Sequence, residues 1–256
     1  MSIIKELIVD KLKVKVYSSR EEMGKGSAND VGPKIKELLN EREEINMLFA
    51  AAPSQSDFIA SLLADKDIDW GRINAFHMDE YIGLSDDAPQ RFGNYLKENI
   101  FDKVSFKAIY YINGNVEDPE AECERYTNLL KENPIDIACM GIGENGHIAF
   151  NDPHVAFFDD EKWVKVVDLD MACRTQQVND GCFDRIDDVP THAITLTIPA
   201  LMAAEYAYCI VPAPSKANAI RDTVEGPITE DCPATILRRH DRAILYADPD
   251  SAKYII

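Results

Sequence analysis

One segment in the middle of the chain gathers residues that could move protons: Gly141-Ile142-Gly143-Glu144-Asn145-Gly146-His147-Ile148-Ala149-Phe150-Asn151-Asp152-Pro153. Its glycines permit a tight turn and let a ligand approach the backbone. The imidazole of His147 follows the last glycine directly, and the carboxylate of Asp152 lies five residues further on. An imidazole titrates near neutrality and carries a proton in either direction, while a nearby acid orients the ring or holds its charged form. The competing readings are a satisfied core histidine and an Asx-type turn before Pro153. A metal site built from His147, Asp152 and His154 lacks an obvious further ligand. Gly141-x-Gly143-x-x-Gly146 also matches the dinucleotide-binding pattern in form. That pattern must open a long helix, and Asn151-Asp152-Pro153 interrupts one almost at once.

Three further positions carry charge or hydroxyls where a strand gives way to a helix. Asp79 and Glu80 follow the apolar run 73–78. A carboxylate there is placed to serve as a general base, and burial would lift it toward neutral pKa. Ser54, Gln55 and Ser56 stand between the run 45–52 and a helical pattern. Hydroxyls, an amide and free N–H groups at a helix start form an anion site, whereas an ordinary N-cap needs only one of these side chains. Ser215 reads as an N-cap, which puts Lys216 in the first helical turn, against the helix dipole. A bound anion would offset that penalty.

The elements that must position these residues alternate along the chain. Strands are expected at 12–17, 45–52, 73–78, 108–112, 135–140, 163–169, 192–198, 206–211 and 243–246. Helical patterns fall between many of them. One follows Ser19-Arg20-Glu21-Glu22, and another follows Asp118-Pro119. Alternation of this kind predicts an α/β fold: a doubly wound, mostly parallel, Rossmann-like sheet flanked by helices. Ligands of such sheets sit beyond the carboxyl ends of the strands, so the loops after strands matter most. No repeat or linker is visible, and a single domain over 1–256 is expected.

The whole chain narrows the partners. With 45 acidic and 27 basic residues its formal charge is -18, which argues against nucleic acid and anionic membranes. No apolar run approaches a membrane span and no signal-peptide pattern opens the chain. Six cysteines without a C-x-x-C pair read as reduced thiols, so a cytoplasmic protein is expected. The sequence allows a homo-oligomer without specifying one.

Phe76-His77-Met78-Asp79-Glu80-Tyr81-Ile82-Gly83-Leu84 and the segment 141–153 resemble the two signature segments of the glucosamine-6-phosphate deaminase/isomerase family, relatives of the 6-phosphogluconolactonases. The likeness extends in weaker form from about residue 45 to 245. It implies conversion of an amino-sugar phosphate to a keto-sugar phosphate plus ammonia, without metal or organic cofactor. Asp79 would move a proton between C1 and C2, and His147 would open the pyranose ring with Asp152 in support. Ser54, Gln55, Ser56 and Lys216 would hold the phosphate, with Glu80, Gly146 and Arg174 completing the substrate contacts. Glucosamine 6-phosphate is the first candidate and galactosamine 6-phosphate the second. A lactonase-like hydrolase, a plain aldose–ketose isomerase and a sugar-phosphate sensor are the alternatives.

Three positions depart from the family. Asn145 stands where an aspartate is usual, and Asp152 replaces a glutamate. Ala51-Ala52-Pro53-Ser54-Gln55-Ser56 replaces a Gly/Thr-rich phosphate loop. Asn145 stays in the expected catalytic set because its amide can still hydrogen-bond the ring. The residues after Pro153 lack the basic and hydroxyl side chains of an effector-phosphate site, so activation by a sugar phosphate is not expected.

Overall fold

The runs Ile73–His77 and Ile137–Met140 are buried at every residue. Strands covered on both faces belong inside a parallel sheet flanked by helices. The structure, a computed structural model, describes residues 2–256. In chain order its strands are β1 (Ile3–Val9), β2 (Leu12–Tyr17), β3 (Ile45–Phe49), β4 (Ile73–His77), β5 (Asp79–Tyr81), β6 (Ala108–Tyr110), β7 (Ile137–Met140), β8 (Val164–Asp168), β9 (His192–Leu196), β10 (Tyr206–Val211) and β11 (Ala243–Ala247). The α-helices are α1 (Arg20–Glu41), α2 (Ser56–Ala64), α3 (Phe92–Leu96), α4 (Pro119–Glu132), α5 (Met171–Asn179), α6 (Ile198–Met202) and α7 (Ala217–Glu225).

Eight strands form one sheet in the order β1-β2-β11-β10-β7-β3-β4-β6. All neighbours are parallel except β1 and β2. From β3 the chain steps outward through β4 to β6, then returns to β7 on the other side and continues to β10 and β11. The order therefore reverses between β3 and β7, and a crevice opens beyond their carboxyl ends. Successive residues of the central strands divide between two apolar layers. Leu48, Ala138, Met140 and Cys209 join one with α4 and α7, while Met47, Phe49, Ile137, Cys139 and Ile210 join the other with α1 and α2.

The expectation of a single parallel sheet needs one correction. The runs at 163–169 and 192–198 do not enter the main sheet; as β8 and β9 they form a second, antiparallel sheet of three strands with β5. The short strand β5 follows β4 after Met78 alone, so Asp79 sits at the seam between the sheets. His77 fixes that seam. Its Nε2 accepts from the Ile112 N–H (2.9 Å), which leaves Nδ1 to donate to the Asp79 carbonyl (2.9 Å). Burial lowers the His77 pKa to about 4, so the ring stays neutral.

Helix starts follow the expected capping chemistry in two places. Ser19 Oγ accepts from the Glu22 N–H (3.1 Å) at α1, and Asp118 caps α4. At the third, Ser215 is no cap. Pro214–Lys216 form a 3-10 turn, and α7 begins at Ala217 with Lys216 in the capping position.

Candidate active site

A cavity of about 280 Å³ occupies the crevice at the reversal of strand order. Its walls are the loops after β3 (Ala50 to Ser54), β4 (Met78, Asp79), β7 (Gly141 to Gly143) and β10 (Pro212, Ala213, Ser215, Lys216), closed by Gln176, Gln177 and Asp180 of and beside α5. Of the expected residues, Asp79, His147, Ser54 and Lys216 line it directly.

Asp79 is 6% exposed, and its carboxylate has no hydrogen bond among the described residues. Burial, reinforced by the charge of Glu80, raises its pKa well above the ordinary carboxylate value. A buried carboxyl of raised proton affinity with no ion-pair partner among the described residues is suited to exchange a proton with a ligand.

The His147 ring lies against Gly143: a Cβ there would fall 2.1 Å from Cε1, so this position must be glycine for the imidazole to occupy its place. Nδ1 faces two acceptors, Asn145 Oδ1 (2.8 Å) and Asp152 Oδ1 (3.1 Å). The Asn145 amide cannot be reversed without loss, because its NH₂ donates to Asp152 Oδ1 (2.9 Å) and Asp170 Oδ2 (3.2 Å). Nδ1 thus carries a proton, and Nε2 makes no hydrogen bond among the described residues. Asp152 is fully buried. Burial pulls its pKa up, but His147, the Asn145 amide and the Asp170 N–H outweigh that effect and hold it below the ordinary value. Asn145 and Asp152 act behind the ring and do not line the cavity. Gly146 adopts φ +84° at the turn and also stands outside the lining.

Lys216 is 5% exposed, and its Nζ has no hydrogen-bond partner among the described residues. Burial lowers its pKa, against the opposing influence of Asp180 and Glu144. A buried ammonium without a hydrogen-bond partner on a cavity wall is suited to bind an anion. Ser54 Oγ, on the same wall, accepts from Gln55 Nε2 (3.1 Å), which also donates to the Ile210 carbonyl (3.1 Å). Gln55 therefore holds the turn from behind.

Besides Gln55 and Gly146, three further expected substrate contacts lie outside the cavity lining. The Glu80 carboxylate accepts from the N–H groups of Tyr81 (2.9 Å), Phe92 (3.0 Å) and Gly93 (3.0 Å), which makes it the cap of α3. Ser56 Oγ meets the Tyr95 hydroxyl (3.3 Å) away from the cavity. Arg174 donates to the carbonyls of Ile186 (2.8 Å) and Val189 (2.9 Å), tying down the loop after α5.

The sequence reading missed Arg20, Gln176, Gln177, Asp180 and Cys182, which also line the cavity. For Arg20 a signal was available: like Lys216, it is a cation at a helix start. It also missed strain. Ala149 (φ +50°) and Ala213 (φ +89°) both have positive φ, and both line the cavity.

One group among the described residues has metal-ligand spacing: atoms of His147, Asp152 and Cys173 lie within 4.8 Å of one another. His147 and Asp152 are already engaged with each other, and His154 turns away to Asp168 (3.0 Å). No helix among the described residues is long and apolar enough to cross a membrane.

Residues 18–246 match the family model for glucosamine-6-phosphate isomerases and 6-phosphogluconolactonases. A glucosamine-6-phosphate deaminase of Listeria innocua is 37% identical over 212 residues, covering 83% of this chain and 88% of the relative. One from Exiguobacterium sibiricum is 40% identical over 188 residues, 73% of each chain. A solved monomeric glucosamine-6-phosphate deaminase superposes with a TM-score of 0.85 at 29% identity, over 94% of this chain and 98% of that one. A 6-phosphogluconolactonase of Thermotoga maritima shares the fold, with a TM-score of 0.76 at 19% identity over 93% of this chain and all (100%) of that one.

Proposed function

Because the chain belongs to the family of glucosamine-6-phosphate isomerases and 6-phosphogluconolactonases, we propose that it converts glucosamine 6-phosphate to fructose 6-phosphate and ammonia. The observation that carries this reading is one cavity shared by a buried carboxylate, an imidazole and an ammonium, of which the carboxylate, the imidazole Nε2 and the ammonium have no hydrogen-bond partner among the described residues. Aldose–ketose chemistry with loss of an amine requires such a set.

Lys216 and the Ser54 turn hold the phosphate, which fixes the sugar over the carboxyl ends of β3 and β7. Nε2 of His147 accepts the proton of the C1 hydroxyl as the pyranose opens, and a proton is returned to the ring oxygen. The extra positive charge on the imidazolium is met by Asp152 through Nδ1. Asp79 then takes the C2 proton and delivers it to C1, while the C1 oxygen gains a proton given up by the C2 ammonium, which leaves an iminium at C2. Water adds to the iminium and ammonia departs. Its raised proton affinity suits Asp79 to both halves of the transfer. Asn145 holds His147 and Asp152 in register, and Asp152, in the place of the family's glutamate, is the one carboxylate in contact with the ring.

A coupled assay on the purified protein tests the proposal by following ammonia and fructose 6-phosphate together. Equal amounts of both from glucosamine 6-phosphate are expected. Turnover of galactosamine 6-phosphate alone would reassign the epimer. Hydrolysis of a phosphogluconolactone without any ammonia release would replace the reaction.

A further inference from the structure

The cavity is lined by one cation without a hydrogen-bond partner among the described residues, Lys216, and by a second whose donors are only partly engaged among them, Arg20. We infer that Arg20, at the first position of α1, is the second phosphate-binding cation of this pocket and sets its preference for a dianionic phosphoryl group. The inference rests on the proposed reaction only for the identity of the phosphorylated ligand.

Sequence reasoning favours Arg174 for this position, but its Nη2 is committed to the carbonyls of Ile186 and Val189, and the residue does not line the cavity. Arg20 is held differently. Nε donates to Asp57 Oδ2 (2.6 Å) and Nη2 to the Pro53 carbonyl (2.8 Å), while Nη1 has no partner among the described residues. Pro53 belongs to the same 3-10 turn as Ser54, Pro53–Gln55. The guanidinium plane is thereby pinned to the turn that carries Ser54, a residue of the cavity wall. The Arg20 side chain is 43% exposed, but its two tethers hold the fork fixed on one side and open on the other, which pre-organises it for phosphate oxygens.

Electrostatics point the same way. Arg20 sits at the positive end of α1 and Lys216 immediately before α7, so each opposes a helix dipole. Asp57 answers part of the Arg20 charge, while Lys216 has no hydrogen-bonded counterion. A phosphoryl dianion between the two would offset both penalties. In a protein of formal charge -18 this pairing gives an anion a local positive site. A monoanion would satisfy only one cation, which is the source of the preference.

The test is calorimetric titration of the full chain with inorganic phosphate, alongside steady-state kinetics on glucosamine 6-phosphate. Arg20→Gln should weaken phosphate binding roughly ten- to hundredfold and raise KM by a similar factor, with kcat changing far less. Arg20→Lys restores the charge without the fork and should recover part of the loss. Asp57→Asn keeps the guanidinium but breaks its ion pair, and phosphate should bind as tightly as before or more tightly. If Arg20 merely bridges α1 to α2, the Gln and Asn variants would instead lose thermal stability and phosphate affinity in parallel. That result would overturn the inference, as would unchanged phosphate affinity in Arg20→Gln or no phosphate binding by the unsubstituted protein. Arg20-dependent phosphate binding without ammonia release would sink the proposed reaction and leave Arg20 standing. Ammonia release with an unchanged KM in Arg20→Gln would do the reverse.

Discussion

Asp79 lies buried with no hydrogen bond to its carboxylate among the described residues, so removing its charge should act on rate and stability in opposite directions. Asp79→Asn should lower kcat by several orders of magnitude, because the amide cannot carry the C2 proton. The same change should stabilise the fold at neutral pH. In the folded protein Asp79 holds its proton well above the ordinary carboxylate range, whereas the unfolded chain releases it near about pH 3.9. Between those values the folded state binds more protons, so the parent loses stability as pH rises through the window. Asparagine has no such dependence. The melting temperatures of parent and variant should therefore coincide below about pH 4 and diverge above it, with the variant higher. A variant that is less stable at pH 7 would show that the charge is compensated within the fold.

Asn145 gives a second prediction of this kind. Its amide hydrogens go to Asp152 and Asp170, and its oxygen takes the His147 backbone N–H (3.1 Å) and Nδ1 (2.8 Å). Installing the aspartate usual in the family would set a third carboxylate against two others and remove two donors. Asn145→Asp should destabilise by roughly 1–3 kcal/mol for each donor lost and should not speed turnover. Thermal denaturation and kcat measured together decide it. A faster, equally stable variant would mean that Asp170 is free to move aside.

At the scale of elements, much of the cavity wall comes from loops that follow strands, and loop geometry decides what it costs to build. Ala213 begins the turn that carries Lys216, with φ +89° and ψ 147°, a region sparsely occupied by L-residues. Asp248 restrains it by accepting from its N–H (3.2 Å). Such backbone strain costs about 1–3 kcal/mol, and glycine relieves it at a smaller entropic cost. Ala213→Gly should therefore raise the melting temperature by a few degrees, and a lower one would show the alanine methyl to be well packed. This feature illustrates what the sequence conceals. Alternating apolar runs and capping residues reveal β3, β4, β7, β10 and the helices between them, because those signals are local. A positive φ at an alanine leaves no trace in residue type. The three-residue strand β5 reads as a loop, since Asp79-Glu80-Tyr81 becomes a strand only by pairing with β9, more than a hundred residues away. Glu80 likewise reads as a site acid until Phe92 and Gly93 are seen to donate to it. Asp79, His147 and Lys216 were legible because each stands next to a recognisable strand end or helix start.

Across the whole molecule, the site spans the reversal in strand order. Ser54 and Asp79 come from the β3–β4–β6 side, while His147 and Lys216 come from the β7–β10–β11 side. A ligand that engages Ser54 and Lys216 together ties the halves, and it binds only when both are folded. Such binding stabilises the native state by about 2.7 kcal/mol at a hundredfold excess over Kd, and each kcal/mol is worth about 2–4 °C in a chain of this size. Glucosamine 6-phosphate or inorganic phosphate should thus raise the melting temperature by several degrees. Lys216→Met should reverse the pattern in two ways. Burial depresses the Lys216 pKa, so holding it protonated at neutral pH costs the unliganded fold. The methionine variant should melt higher than the parent without ligand, because an unpartnered buried charge has gone. It should gain little on adding phosphate, because the anion has lost its counterion. The two melting curves would then cross as phosphate is titrated in. Parallel curves, shifted equally by ligand, would place Lys216 outside the anion site and return the search for the phosphate cation to the rest of the cavity wall.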